Sequence, residues 1–235
     1  MDIIGFSTGS LYQLMSPSSK MAIELVKKAS RDCIEINTQF KKRIFLLHKR
    51  KLNLRKFKFI TMHAPNDFIY DNNKKTDTLL KKIEKLHKII GFHFIVFHPD
   101  RIKNFDIFKK YTFPKAIENL DNRSPQWAEV ENLKSILNNH NFKLVLDITH
   151  CFLIDKSNKN FNRLYNNFKN KIAYIHLGGF NLKEKEHRPL FLTKQKKILE
   201  MAVKVKKFPI IIESVVYNKK QLSAEIDYIK NNLYA

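Results

Sequence analysis

Seven side chains of two chemical types close a series of apolar runs in this chain. They are His63 in ITMHAP, His98 in IVFHPD, Glu118 in KAIENL, Asp147 and His150 in FKLVLDITHC, His176 in YIHLGG and Glu213 in IIIESV. Imidazole nitrogens mixed with carboxylate oxygens suit Zn2+, with Mn2+ or Fe2+ as alternatives, whereas Ca2+ and Mg2+ prefer oxygen-only shells. Taken alone, a histidine at a strand end is most often a hydrogen-bonded structural residue, and an aspartate before a helix is usually a cap. Repeated at equivalent ends of consecutive runs, the pattern points instead to one rim carrying one polar site. Burying that many ionisable groups without a metal would leave unpaired atoms at high cost.

The other histidines carry less. His48 and His87 sit in helical patterns, His93 opens a strand and His140 ends a helix, so all four read as structural or solvated. Cys151 adjoins His150, but no neighbouring residue supplies it with a base, and no nucleophilic role follows.

The elements that would position these residues alternate strictly. Strand-like runs begin at Ile3, Cys33, Phe57, Phe94, Ala116, Phe142, Ala173 and Pro209. Between them lie helical patterns. The clearest is Leu79, Leu80, Ile83, Leu86 and Ile90, with a 3.6-residue period. A short basic helix is expected within Lys41–Leu54, a weak one over Phe105–Tyr111, a start at Ser124-Pro125, and longer ones over Phe161–Phe168, Leu192–Lys207 and Leu222–Leu233. Eight strands alternating with helices predict an α/β fold, a (β/α)8 TIM barrel forming a single domain over residues 1–235. A doubly wound open sheet hosts the same alternation, but the count of eight and the lack of a Gly-rich phosphate fingerprint favour the barrel. In such a barrel the active site lies at the C-terminal ends of the strands, where the ligand-type residues converge.

At 235 residues and 43% hydrophobic, the chain can bury one sizeable core. The apolar run at Ile89-Ile90 is cut by Gly91 and His93, far short of the about 20 residues that span a membrane. MDIIGFSTGS has no basic region ahead of its apolar stretch and does not read as a signal peptide. Its two cysteines, Cys33 and Cys151, then read as reduced thiols, and a cytoplasmic protein is expected. A net charge of +22 makes nucleic acid a natural partner, although abundant Lys and Asn can also reflect genome composition.

The motifs TMHAP, VFHPD, AIEN, LDITH, IHLGG, EHRP and IIES, in that order, resemble the xylose isomerase-like TIM-barrel superfamily, and within it the endonuclease IV (AP endonuclease family 2) branch. The resemblance covers nearly the whole chain. It implies hydrolysis of the phosphodiester 5′ to an abasic nucleotide in DNA, with two or three metal ions per chain. On this likeness His63 and His98 hold one ion and Glu118 bridges to a second. Asp147, His176 and Glu213 complete that second site, while His150 and His187 hold a third. Glu213 orients or deprotonates the attacking water, with Glu118 the other catalytic carboxylate. Lys41, Lys42 and Arg43, with Lys74 and Lys75, are candidates to track the DNA backbone or simply solvated loop charges.

One departure stands out. The branch has an Asp-Arg-His triplet where this chain reads Lys185-Glu186-His187, so the acid of the third site is missing or displaced by one residue to Glu186. Sugar isomerases and epimerases of the same superfamily resemble only the Glu118, Asp147, His176 and Glu213 subset. They use the two glutamates as paired acid and base beside a sugar carbonyl, which is the alternative function. His63 and His98 tip the reading to the nuclease.

Overall fold

The computed structural model describes residues 3–47, 52, 54, 56–184 and 186–234. Eight parallel strands close into a barrel: β1 (Ile4–Ser7), β2 (Cys33–Asn37), β3 (Phe59–His63), β4 (Phe94–Phe97), β5 (Lys115–Glu118), β6 (Lys143–Asp147), β7 (Ile172–Leu177) and, after a two-stranded hairpin of β8 (Gly179–Asn181) and β9 (Glu186–Arg188), β10 (Ile210–Ile212). Their order around the barrel is β1-β10-β7-β6-β5-β4-β3-β2, closed by the parallel pairing of β2 with β1. The expected (β/α)8 architecture is present.

Alternation along each strand divides its side chains between two environments. One set faces the surrounding helices and joins a large apolar cluster that includes Ile34, Ile60, Met62, Ile95, Ile117, Leu144, Leu146, Ile175, Ile210 and Ile212. The other set fills the barrel with a smaller cluster of Cys33, Phe59, Val96, Ala116, Val145, Tyr174 and Ile211. Two residues further along each of these strands, on the same inward face, stand Glu35, Thr61, His98, Glu118, Asp147, His176 and Glu213. A polar layer therefore rests directly on an apolar plug.

The helices behave as their sequences dictate. Asn73 caps α3 (Lys74–Ile90) by accepting from the Thr76 N–H at 3.0 Å, and Gly91 closes it at φ 75, a left-handed conformation that costs glycine little. At Gly5 the constraint is approach: a Cβ there would lie 1.9 Å from the Cys33 carbonyl oxygen across the β1–β2 pair. Among the described residues no helix is long and apolar enough to cross a membrane.

Several expected boundaries shift. The basic segment forms α2 (Lys41–Leu47), and His48 with most of the remainder lies outside the described residues. Phe105–Phe108 is only a 3-10 turn. Ser124 makes no side-chain cap, and Pro125–Ala128 is a 3-10 turn ahead of α4 (Val130–Asn139). The expected Leu192 helix is split into α7 (Leu190–Thr193) and α8 (Lys196–Val205) by Lys194 at φ 52.

Candidate metal centre

Barrel closure brings the strand ends together. His63 ends β3, Glu118 ends β5, Asp147 ends β6, His176 is the penultimate residue of β7, and His98 and Glu213 directly follow β4 and β10. Two groups of ligand atoms converge, each within 4.8 Å: His63–His98–Glu118 and Glu118–Asp147–His176–Glu213. They share Glu118.

Local hydrogen bonds aim His63, Asp147 and His176. His63 Nδ1 donates to the Ala64 carbonyl at 2.9 Å, which leaves Nε2 as the free nitrogen, 3.1 Å from His98 Nε2. His98 Nε2 lies 3.5 Å from Glu118 Oε2. Asp147 caps α5 (Ile148–Ile154): its Oδ1 accepts from the His150 N–H at 2.7 Å, so the cap expected of an aspartate before a helix is present and uses only one oxygen. Asn119 clamps Asp147 from both sides, accepting from its N–H at 2.8 Å and donating to its carbonyl at 3.0 Å. His176 Nδ1 lies 3.4 Å from Glu118 Oε1 and 3.5 Å from Glu213 Oε2.

The residues present fit a divalent cation. His176 Nδ1, Glu118 Oε2 and Asp147 Oδ2 are buried without a hydrogen-bond partner, and each points into one of the convergent groups. Buried polar atoms left unpaired are costly and normally avoided. Three carboxylates of differing character beside nitrogen donors match Zn2+, Mn2+ or Fe2+.

Electrostatics separates the carboxylates. Burial opposes the charge of Glu118, but His176, His98 and His150 hold it well below the usual carboxylate range. Burial pushes Asp147 up to about 7, against the pull of His150 and with the push of Glu118. Burial also lifts Glu213 well above its ordinary value, reinforced by Glu118, Glu35 and Asp147 and only partly offset by His176. Burial lowers His98 to about 3. His176 is raised well above the normal histidine range: burial lowers it, but Glu213, Glu35 and Glu118 overcome that.

His150 and His187 belong to neither convergent group, although His150 adjoins both. His150 Nδ1 faces the Asn119 carbonyl at 2.9 Å and Glu118 Oε1 at 3.2 Å. His187 lies on β9, its ring edge-on to His150 at 5.8 Å between centroids, with Nδ1 unpartnered. Glu186, the displaced acid, is occupied elsewhere: its carboxylate accepts from the hydroxyls of Tyr12 and, at 2.6 Å, Tyr217. Lys185 lies outside the described residues.

The centre opens into a cleft of about 780 Å³ lined by His63, His98, Glu118, His150, His187 and Glu213 and also by Arg43, Arg101, Asp121 and Arg123. Of the basic candidates only Arg43 reaches the lining. Lys41 stacks over Phe68 at 4.7 Å, and Lys42, Lys74 and Lys75 are exposed.

Three features escaped the sequence reading. Glu35 is wholly buried and bonded to His176 Nε2 at 3.1 Å; the lone acid in the apolar CIEIN run was its signal. Asp121 grips Arg123 through Nε at 3.0 and 2.9 Å and Nη2 at 2.7 Å, a pairing inside the DNR turn that no spacing rule marks. The Tyr12–Glu186–Tyr217 junction joins residues too distant in sequence to be foreseen.

No family model matches the chain, and no curated protein matches it in sequence. Solved structures do. Endonuclease IV from Thermus thermophilus superposes with a TM-score of 0.67 at 13% identity, covering 98% of each chain. D-allulose 3-epimerase from Methylomonas sp. gives 0.63 at 12% identity over 98% of this chain and 97% of that one. A xylose isomerase-like TIM barrel protein from Mycobacterium smegmatis, in complex with magnesium, gives 0.59 at 11% identity over 99% and 97%. The chain thus has the fold of the xylose isomerase-like TIM barrel proteins, a fold on which nucleases and sugar epimerases are both built.

Proposed function

We propose that the chain is a divalent-metal-dependent phosphodiesterase of the endonuclease IV kind, cutting DNA at abasic sites. The observation that carries this reading is the His63–His98–Glu118 group, which adds a second set of ligands beside Glu118–Asp147–His176–Glu213 and shares a carboxylate with it. A sugar isomerase has use for the four-residue group alone. The fit of the convergent donors favours Zn2+, with Mn2+ or Fe2+ as alternatives, two ions strongly held and a third more weakly near His150 and His187.

Ions held in these groups supply Lewis acidity to phosphate oxygens and acidify nearby water. The protein's own groups do the rest. Glu213, with 19% of its side chain exposed, is the carboxylate with the best access to the cleft from the four-residue group. It orients the attacking water and takes its proton, a role suited to a carboxylate whose proton affinity is raised by burial. Arg43, Arg101 and Arg123 line the cleft and meet the phosphates. Asp121 fixes the guanidinium of Arg123, so little side-chain freedom is lost on binding. Lys41, Lys42, Lys74 and Lys75 lie outside the cleft, where they would follow the flanking duplex. Two buried free thiols are consistent with work in the cytoplasm.

A sugar isomerase or epimerase is the second reading. It is favoured by Glu118 and Glu213 flanking the same nitrogen, His176 Nδ1, at 3.4 and 3.5 Å, as an acid–base pair on either side of a chelated sugar would. Purified chain loaded with Zn2+ or Mn2+ is offered an abasic duplex at moderate salt and, separately, a panel of ketoses and sugar phosphates. Strand cleavage 5′ to the abasic site is expected. Intact duplex together with turnover of a sugar overturns the nuclease reading in favour of the isomerase.

A further inference from the structure

Glu35 occupies on β2 the same inward layer that Glu118, Asp147, His176 and Glu213 occupy on or beside their own strands, yet it belongs to neither group of convergent ligand atoms. It is wholly buried beneath the centre. Its carboxylate collects donors from three strands. Ser7 Oγ of β1 donates to Oε1 at 3.2 Å. Thr61 Oγ1 of β3 at 3.2 Å and, from β7, Tyr174 Oη at 2.8 Å and His176 Nε2 at 3.1 Å all meet Oε2. A buried carboxylate is rarely the cheapest way to tie strands together, because apolar packing of equal volume is often as stable. Its presence calls for something that apolar packing cannot supply.

His176 shows what that is. Its ring has two nitrogens with opposite tasks. Nε2 points down to Glu35, while Nδ1 points up, buried and unpartnered, between Glu118 and Glu213. A carboxylate accepts hydrogen bonds, so Nε2 carries the proton in this contact and the lone pair of the neutral ring is left on Nδ1. Ser7, Thr61 and Tyr174 hold the carboxylate in place, so it cannot swing away from the ring.

We propose that Glu35 is the positioning residue of the centre, fixing His176 in the tautomer and orientation that presents Nδ1 to a divalent ion held with Glu118, Asp147 and Glu213. This rests on the reading of that group as an ion site. Carboxylates placed behind ligating histidines generally raise affinity for the ion by about tenfold to a hundredfold. Glu35 touches no ion and no substrate.

The test is the near-isosteric Glu35→Gln variant, in which the hydroxyls of Ser7, Thr61 and Tyr174 can rotate to keep the network satisfied. Zn2+ affinity is measured by competition with a chromogenic chelator, with circular dichroism to verify the fold. Affinity about tenfold or more below wild type in a folded variant is expected; wild-type affinity overturns the proposal. Should the variant fail to fold, wild-type protein labelled with 15N and loaded with 113Cd decides. Cadmium coupling to His176 Nδ1 with a proton on Nε2 is expected, and coupling to Nε2 overturns the proposal. Wild-type protein that binds no ion at all overturns the ion-site reading itself, an outcome distinct from a wild-type chain that binds and a variant that binds equally well.

Discussion

His63 Nε2 and His98 Nε2 stand 3.1 Å apart, nitrogen to nitrogen, with the rings tilted 65°. His63 has committed its Nδ1 to the Ala64 carbonyl, so its Nε2 offers a lone pair. Burial keeps His98 neutral at ordinary pH. In metal-free protein the contact therefore depends on a single proton carried by His98 Nε2. A cation beside the pair would take the lone pair of His63 Nε2 and, once the proton on His98 Nε2 has moved to Nδ1, that of His98 as well, with Glu118 Oε2 at 3.8 and 3.5 Å from the two nitrogens to balance its charge.

Because Glu118 serves both groups, its loss is expected to empty both. Glu118→Ala should reduce retained metal from about two ions per chain to none, with activity lost, when protein purified without chelator is assayed by elemental analysis. Removal of His63 should spare the four-residue group and cost only one ion. Unchanged metal content in Glu118→Ala contradicts the shared-ligand arrangement.

Metal binding should depend on pH with a definite sign. Ligation needs Asp147 as a carboxylate and a lone pair on His176 Nδ1, and both groups bind protons more tightly in the folded metal-free protein than in isolation, Asp147 to about 7. Below those values an entering ion must displace protons, so Zn2+ affinity rises with pH through about 7, and binding releases protons to the buffer. Titration calorimetry in two buffers of different ionisation enthalpy measures the release. Affinity that is flat from about one unit below that value to one unit above it would count against these ligands.

How much of this was legible in the sequence follows from the physics of strands. Apolar runs ending in His, Asp or Glu marked the rim because in a parallel barrel all strand C-termini meet, and local sequence records each end. Glu35 has no such local mark because it sits in the middle of β2 rather than at its end, two residues beyond the inward-facing Cys33 and so in the same layer. The hairpin of β8 and β9 and the break at Lys194 depend on tertiary contacts. Glu225 of α9 (Lys220–Tyr234), for instance, accepts from the Leu190 and Phe191 N–H groups at 2.8 and 3.1 Å. No local pattern encodes a helix start capped from so far along the chain.

The region of His150 and His187 is expected to bind a further ion weakly. The two imidazoles lack a carboxylate of their own: Glu118, whose Oε1 lies 3.2 Å from His150 Nδ1, already serves both convergent groups, and Glu186 is held by Tyr12 and Tyr217. Lys185→Asp should raise zinc stoichiometry measured by equilibrium dialysis. Three ions of similar affinity in the natural chain would show that this site is already complete.

Arg123 supplies the last expectation. Its guanidinium lines the cleft and is gripped by Asp121, so in the phosphate-binding role proposed for it the side chain would be preorganised. Arg123→Ala should weaken binding of abasic duplex and lower the slope of log affinity against log salt by about one, the signature of one lost phosphate contact. Lys85, exposed on α3 away from the cleft lining, serves as the comparison, and Lys85→Ala should change the slope less. Filter-binding measurements across a salt series, made with a metal-loaded but catalytically slow Glu213→Gln background, read the slope without cleavage. Equal slopes for the parent and Arg123→Ala would remove Arg123 from the nucleic-acid contact and leave the cleft arginines without their assigned role.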